Sequence, residues 1–224
     1  MLRRGDLLFW GIPRQDCPVV EQPDAAVDFT SAVLASAGNN LKVFHVSMLL
    51  NSNFLIHATC MYGVIQESVE HYCKRLLDEC DAECYDVIAV KVLADDRTKD
   101  AAADFCVQQI GCGYNDLFSD DCINSNGQKA YYCCQLVRKA YQAATASAFF
   151  PVQIMKFDDE NGVILPYWLE YFRRRAKPVP LNDYGSHPAR LLQSDRLRLV
   201  FVSRVCRQRP NLLPETLGLN FANE

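Results

Sequence analysis

Two apolar, β-rich runs, residues 41–50 and 53–59, stand on either side of Asn51-Ser52. A short polar break between two strand-length runs favours an antiparallel hairpin. Each run carries one histidine, His45 in the first and His57 in the second. Alternation along the first strand puts Val43, His45 and Ser47 on one face. An imidazole in so apolar a run needs a hydrogen-bond partner, and cross-strand neighbours lie close enough for one histidine to serve the other.

Other elements can be placed around this hairpin. Residues 5–10 read as a strand behind a Gly5-Asp6 turn, and residues 63–68 as a third short strand. Helical patterns cover residues 23–40, with Pro23 near the start and Gly38 and Asn39 at the end, and residues 69–80. Residues 85–93 form a buried strand, and residues 98–111 a helix with Thr98 as its cap and Gly111 as its stop. A polar loop leads into a helix near Tyr131. Further helices are expected at 165–175 and 187–194, then a last strand at 196–205. No repeat or long linker divides the chain. The expectation is one α+β domain over residues 1–209, an antiparallel sheet packed with helices. Residues 145–185 would be an insertion or lid, and residues 210–224 a C-terminal tail.

At 224 residues with half of them hydrophobic, the chain is long enough to bury a sizeable core. Its net charge of −4 gives no basic field, so a nucleic-acid partner is not expected. The basic runs at Arg173-Arg174-Arg175 and from Arg204 to Arg209 read as solvated faces. The first apolar stretch is broken by Gly11 and Pro13, too short for a secretory signal or a transmembrane segment. Synthesis in a reducing cytoplasm follows as the expectation, with most of the 11 cysteines free and buried. His71, Cys73, Cys80 and Cys84 have no familiar zinc-ligand spacing, so neither a metal nor another cofactor is expected.

The stretch "YYCCQLVRKAY", residues 131–141, sets two cysteines at the start of a helix. Cys133 begins the apolar face that continues through Leu136, Val137, Ala140 and Ala144. Cys134 lies about a quarter turn away with Arg138 and Tyr141. A helix N-terminus and a nearby imidazole both lower a thiol's pKa. The residues therefore suggest a cysteine hydrolase or acyltransferase. Cys133 would be the nucleophile, His45 would take its proton and His57 would hold the ring of His45. His71 and His187 lie in polar stretches and read as surface residues.

The segments Gly5-Asp6-Leu7-Leu8-Phe9, His45-Val46-Ser47-Met48, Phe54-Leu55-Ile56-His57-Ala58 and Gly63-Val64 resemble the core motifs of NlpC/P60 cysteine peptidases. So do Gly111-Cys112-Gly113-Tyr114 and Tyr132-Cys133-Cys134-Gln135-Leu136-Val137, the second in place of Asp-Cys-Ser-Gly-Leu-Val. Aligning Leu-Val puts Cys133 at the nucleophile position and Cys134 at the serine's. The histidines precede the cysteine, an order similar to the circularly permuted, YiiX-like papain-fold branch, which also holds lecithin–retinol acyltransferase relatives. The resemblance implies a permuted papain-like fold, with Tyr114, Tyr132 and Ser47 binding substrate beside the catalytic Cys133, His45 and His57. Tyr132 stands where the motif has Asp, and Ser47 where it has Gly.

What the resemblance implies first is cleavage of a peptidoglycan stem peptide. That substrate lies outside the cytoplasm. Delivery of an antibacterial effector by a type VI-like secretion system, with a secretion-system carrier and an immunity protein as partners, would reconcile the two. The alternative is a cytoplasmic acyl or thioester hydrolase, or an acyltransferase, acting on lipid or acyl-amide substrates, with aromatic residues of 145–172 lining an acyl site.

Overall fold

A computed structural model describes residues 2–12, 28–36, 42–79, 83–159 and 161–207. The tail expected after Arg209 and much of the helix expected at 23–40 lie outside the described residues. The sheet is antiparallel, with strand order β4-β3-β2-β1-β5-β8. These strands are β1 (Leu7–Gly11), β2 (Val43–Leu49), β3 (Phe54–Thr59), β4 (Gly63–Ser68), β5 (Cys84–Val92) and β8 (Leu197–Cys206). The helices are α1 (Phe29–Ala35), α2 (Val69–Glu79), α3 (Asp96–Gln108), α4 (Cys133–Thr145), α5 (Pro166–Arg173) and α6 (Pro188–Leu191).

β1 lies between β2 and β5 and is buried along its whole length, so it reads as a continuous apolar run rather than an alternating one. Leu7 and Phe9 face a core shared with α3 and α4, which also takes Val46, Met48 and Ile56. Leu8 and Trp10 face a second core closed by α2, through Tyr72, Cys73, Leu76 and Leu77.

Two expected details change. Asp95 caps α3, its carboxylate accepting from Thr98 N at 2.7 Å, so Thr98 sits in the first turn rather than at the cap. A small two-stranded ladder, β6 (Gln153–Ile154) with β7 (Tyr184–Gly185), was not legible from so few residues. The segment around it is anchored in the main core by Phe150, Phe157, Trp168 and Phe172, each 2% exposed or less.

The cysteines meet expectation in part: seven of the nine described are free thiols and four of those are buried. Cys84 and Cys206, 122 residues apart, are directly paired in the β5–β8 ladder and joined by a disulfide. Cys73, Cys106, Cys133 and Cys134 are buried thiols, Cys112 and Cys122 are half-buried, and Cys60 is exposed.

The Gly5-Asp6 pair has an architectural role. Gly5 has φ +87°, and a Cβ there would stand 2.7 Å from Lys99 Cβ, so both the conformation and the contact call for glycine. Asp6 is fully buried. Its Oδ1 accepts from Lys99 Nζ at 2.7 Å and Val92 N at 2.9 Å, and its Oδ2 accepts from Arg3 N at 2.7 Å. Tyr141 of α4 donates to Gly5 O at 2.7 Å. This one turn thus ties α3 and α4 to the central strand. Replacing Lys99 with Met leaves the Asp6 carboxylate buried without its cation, and destabilisation of about 3–5 kcal/mol is expected from urea unfolding. Adding Asp6→Asn should recover part of the loss. An unchanged urea midpoint for Lys99→Met would refute the role given to this pair.

Candidate active site

The site forms where two neighbouring strands part. The β2–β3 ladder runs through Met48↔Ile56 and Leu49↔Leu55 and stops short of both histidines. On the other side of β2 the register slips, with Trp10 opposite His45 and Gly11 opposite Val43, so Phe44 is an extra residue. The bulge breaks the expected alternation. Val43 joins the core on the α3–α4 side, whereas the His45 ring stands 5.6 Å from Tyr72 of α2. Val43 therefore does not share a face with His45 and Ser47.

The two imidazoles span the gap, His45 Nε2 lying 2.9 Å from His57 Nδ1. His57 Nε2 lies 2.7 Å from Glu67 Oε1 on β4. Arg75 of α2 holds Glu67 through two further hydrogen bonds, one from its Nη2 to Oε1 and one from its Nε to Oε2 at 3.4 Å. Burial raises the Glu67 carboxyl, but its hydrogen bonds with His57 and Arg75 outweigh that and hold it below the ordinary range. Glu67 is therefore an acceptor, and the proton assignments follow along the row. His57 carries its proton on Nε2 and accepts at Nδ1, and His45 donates from Nε2. Burial lowers the His57 pKa to about 4 despite the carboxylate beside it, so this ring is neutral at pH 7.

With its Nε2 committed, His45 has Nδ1 for the thiol of Cys133, the first residue of α4. Cys133 titrates well below an ordinary thiol. The hydrogen bond with Cys134 contributes most, followed by His45 and by the backbone N–H of Val46, against the opposing effect of burial. The two sulfurs are 3.9 Å apart. Either could donate by geometry, but burial and the neighbouring thiolate push Cys134 well above its ordinary value, so Cys134 is the donor. The structure thus brings Cys133, His45 and His57 together and adds Glu67 and Arg75 behind them. Such a row can take a proton from the thiol and return it to a leaving group.

Cys133 and His45 open into a cleft of about 360 Å³. Its walls are largely apolar: Phe44, Tyr72 and Leu76 on the α2 side, and Phe29, Val33, Phe118, Phe157 and Trp168 opposite. Tyr114 and Tyr132 line it as well. Burial pushes the Tyr114 phenol well above its usual range, with Cys133 adding to the effect, so its proton is retained.

Ser47 does not belong to this site. It is fully buried, accepts from Trp10 Nε1 at 3.0 Å and donates to Leu8 O at 3.4 Å, deep in the layer under α2. His187 is likewise not a surface residue. It lines the cleft, donates from Nε2 to Val33 O at 3.0 Å and accepts at Nδ1 from Ala189 N at 3.2 Å as the cap of α6. Burial lowers its pKa to about 4. His71 is exposed, 3.8 Å from the far oxygen of Glu67.

Glu67 does not stand out in the sequence, because its place depends on a register. β4 pairs Ile65 with His57 and Glu67 with Leu55, so Glu67 is the diagonal neighbour of His57 on one face. The available signal was a charged residue in period two with an apolar one, beside a strand already holding a buried histidine.

Comparison with known proteins agrees with this architecture. Residues 2–201 match the family described as permuted papain-like amidase enzymes, YaeF/YiiX, C92. A solved structure, titled as the metalloprotein YiiX of Escherichia coli O157:H7, superposes with a TM-score of 0.62. It is 17% identical over 90% of this chain and 97% of its own. Among curated proteins none matches in sequence. With the family match spanning nearly the whole described chain, this protein belongs to the permuted papain-like amidase family of YaeF and YiiX.

Proposed function

We propose that the protein hydrolyses the amide of an acyl amine through a Cys133 thioester. The family supports a cysteine amidase, and the aromatic cleft at Cys133 carries the finer reading. The Cys133 thiolate attacks the carbonyl carbon. The oxyanion is met by the N–H groups at the start of α4, which have no intrahelical acceptor, and by the protonated Tyr114 phenol. His45, protonated at Nδ1, gives that proton to the departing amine and then takes one from the water that cleaves the thioester. Neutral His57 accepts from His45 Nε2 throughout, and Glu67 fixes the tautomer that lets it do so.

A second reading is the stem-peptide endopeptidase of NlpC/P60 type, favoured by Tyr114 of the Gly-x-x-Tyr motif standing in the cleft. It carries with it delivery to a periplasm, a carrier and an immunity protein. The cleft's charges favour the first reading. Arg75 is engaged by Glu67, which leaves Lys156 as the cation lining the cleft, whereas a stem peptide presents several carboxylates. The YiiX neighbour is titled a metalloprotein. Among the described residues here no three His, Cys, Asp or Glu side chains converge as metal ligands, and the imidazoles are committed to the row, so no step is routed through a metal.

Cys133→Ala should abolish turnover of a long-chain acyl amide, a loss on the order of 10⁴-fold or more, with the fold retained. Cys134→Ser should keep substantial activity, because a hydroxyl can still donate to the thiolate. A silent Cys133 change with a fatal Cys134 change would reverse the assignment. His45→Ala should cost about 10²–10⁴-fold in kcat/KM, and His57→Gln less, because an amide can still hold the His45 ring.

Acid should destabilise the protein through two neutral histidines. His57 and His187 titrate at about 4 when folded, against an ordinary 6.5. Between those values the unfolded chain binds more protons, so the stability present above pH 6.5 is lost as pH falls towards 4. Urea midpoints at pH 7.5 and 4.5 measure the loss, which His57→Gln should reduce. A midpoint indifferent to pH over that range would contradict the neutral assignment.

The substrate class is decided by mass spectrometry of products from a panel of acyl amides alongside purified peptidoglycan fragments. Release of free fatty acids with intact stem peptides is the expected result. Stem-peptide cleavage, with Cys133-dependent lysis on periplasmic expression in a bacterial host, would favour the second reading.

A further inference from the structure

One buried hydroxyl on the cleft wall takes no part in the hydrolysis. Ser186 is 9% exposed and lines the cleft that holds Cys133. Its Oγ has no hydrogen-bond partner among the described residues. Buried hydroxyls are ordinarily paired, and leaving one unpaired costs about 1–3 kcal/mol. The oxygen has almost no accessible surface as it stands, and a rotamer change about χ1 would present it to a ligand atom in the cleft.

Its position is fixed by its neighbours. Ser186 N donates to Tyr132 Oη at 3.1 Å. At Gly185 a Cβ would lie 2.7 Å from that same oxygen and 2.3 Å from Met155 Sδ, so the backbone is pressed against the phenol. Ser186 Oγ is near enough to ease ionisation of the Tyr132 phenol against its burial, without forming a regular hydrogen bond to it. Burial is the larger effect and pushes Tyr132 up to about 12, so the phenol keeps its proton. Two O–H groups therefore stand side by side, one on the residue preceding Cys133 and the other next to His187, which interacts electrostatically with Cys133. Lys156 adds a cation to the same cleft, its Nζ 3.6 Å from Asp158 Oδ1, an ion pair without a hydrogen bond.

We propose that Ser186 Oγ and Tyr132 Oη, with Lys156, form a polar subsite for a carboxylate on the amine side of the scissile bond, which makes the preferred substrate an N-acyl amino acid. Two convergent O–H donors suit a carboxylate oxygen, and the ammonium supplies its counter-charge. The aromatic walls take the acyl chain. The subsite rests on the amide-hydrolase reading for its place in a reaction, but binding can be read without turnover.

The test uses N-dodecanoylglycine and its neutral analogue N-dodecanoylglycinamide. Binding to the Cys133→Ala protein is measured by calorimetry, and hydrolysis by the wild-type protein is followed by chromatography. The carboxylate should bind about tenfold tighter than the amide. Adding Ser186→Ala should weaken the carboxylate about tenfold and the amide less than twofold, and Lys156→Gln should act in the same selective way. Equal affinity for the two ligands, uniform weakening of both by Ser186→Ala, or no binding of either overturns the subsite. Selective binding with no hydrolysis of either compound would instead sink the hydrolase reading and leave the subsite standing. Hydrolysis of both without selectivity would do the reverse.

Discussion

The hydrogen bond between two imidazoles, 2.9 Å from His45 Nε2 to His57 Nδ1, sets the terms for the rest of the site. It exists only if one ring donates and the other accepts, so His57 must stay neutral while His45 changes charge. Burial keeps His57 neutral, and Glu67 decides which of its nitrogens carries the proton. The bond also requires β2 and β3 to separate, because a continuing ladder would fill the gap with backbone hydrogen bonds. The extra residue Phe44 supports that separation by re-aiming β2 just before His45.

On the thiol side the same logic runs through burial. A thiolate in an apolar cleft is costly unless every neighbour favours it. Here Cys134, His45 and the backbone N–H of Val46 together outweigh the burial penalty. These contacts come from two elements, α4 and β2, whose relative position is set elsewhere. The turn at Gly5 and Asp6 does this, through Tyr141 of α4 and Lys99 of α3. The motif that looks most like part of the family's chemistry is thus a bracket, about as far from the reaction as the opposite end of β1 allows.

What was legible in the sequence followed local period. β4 matches its expected bounds because Gly63 and Ser68 punctuate it, and the histidine hairpin was visible because each short apolar run carried one imidazole. Cys133 was legible because it begins the apolar face of a helix. The failures share a different cause. Ser47, His187, Glu67 and the Cys84–Cys206 bond each depend on which distant segment lies opposite. Ser47 has the right parity for the site but lies under Trp10, one strand over. His187 looked polar because its neighbours in sequence are polar, while its neighbours in space are Val33 and the cleft.

The bond from Tyr141 to Gly5 joins residues 136 positions apart, and the central strand closes on β5 only after the hairpin and α2 have been made. A topology so rich in distant contacts folds slowly, because loops must close before any reward is gathered. Cys133 meets His45 and Val46 only at that closure. On the nascent chain it is an ordinary thiol, mostly protonated and poorly reactive. Reactivity is therefore a property of the finished tertiary structure, so a partly folded copy of this protein carries the nucleophile without its chemistry.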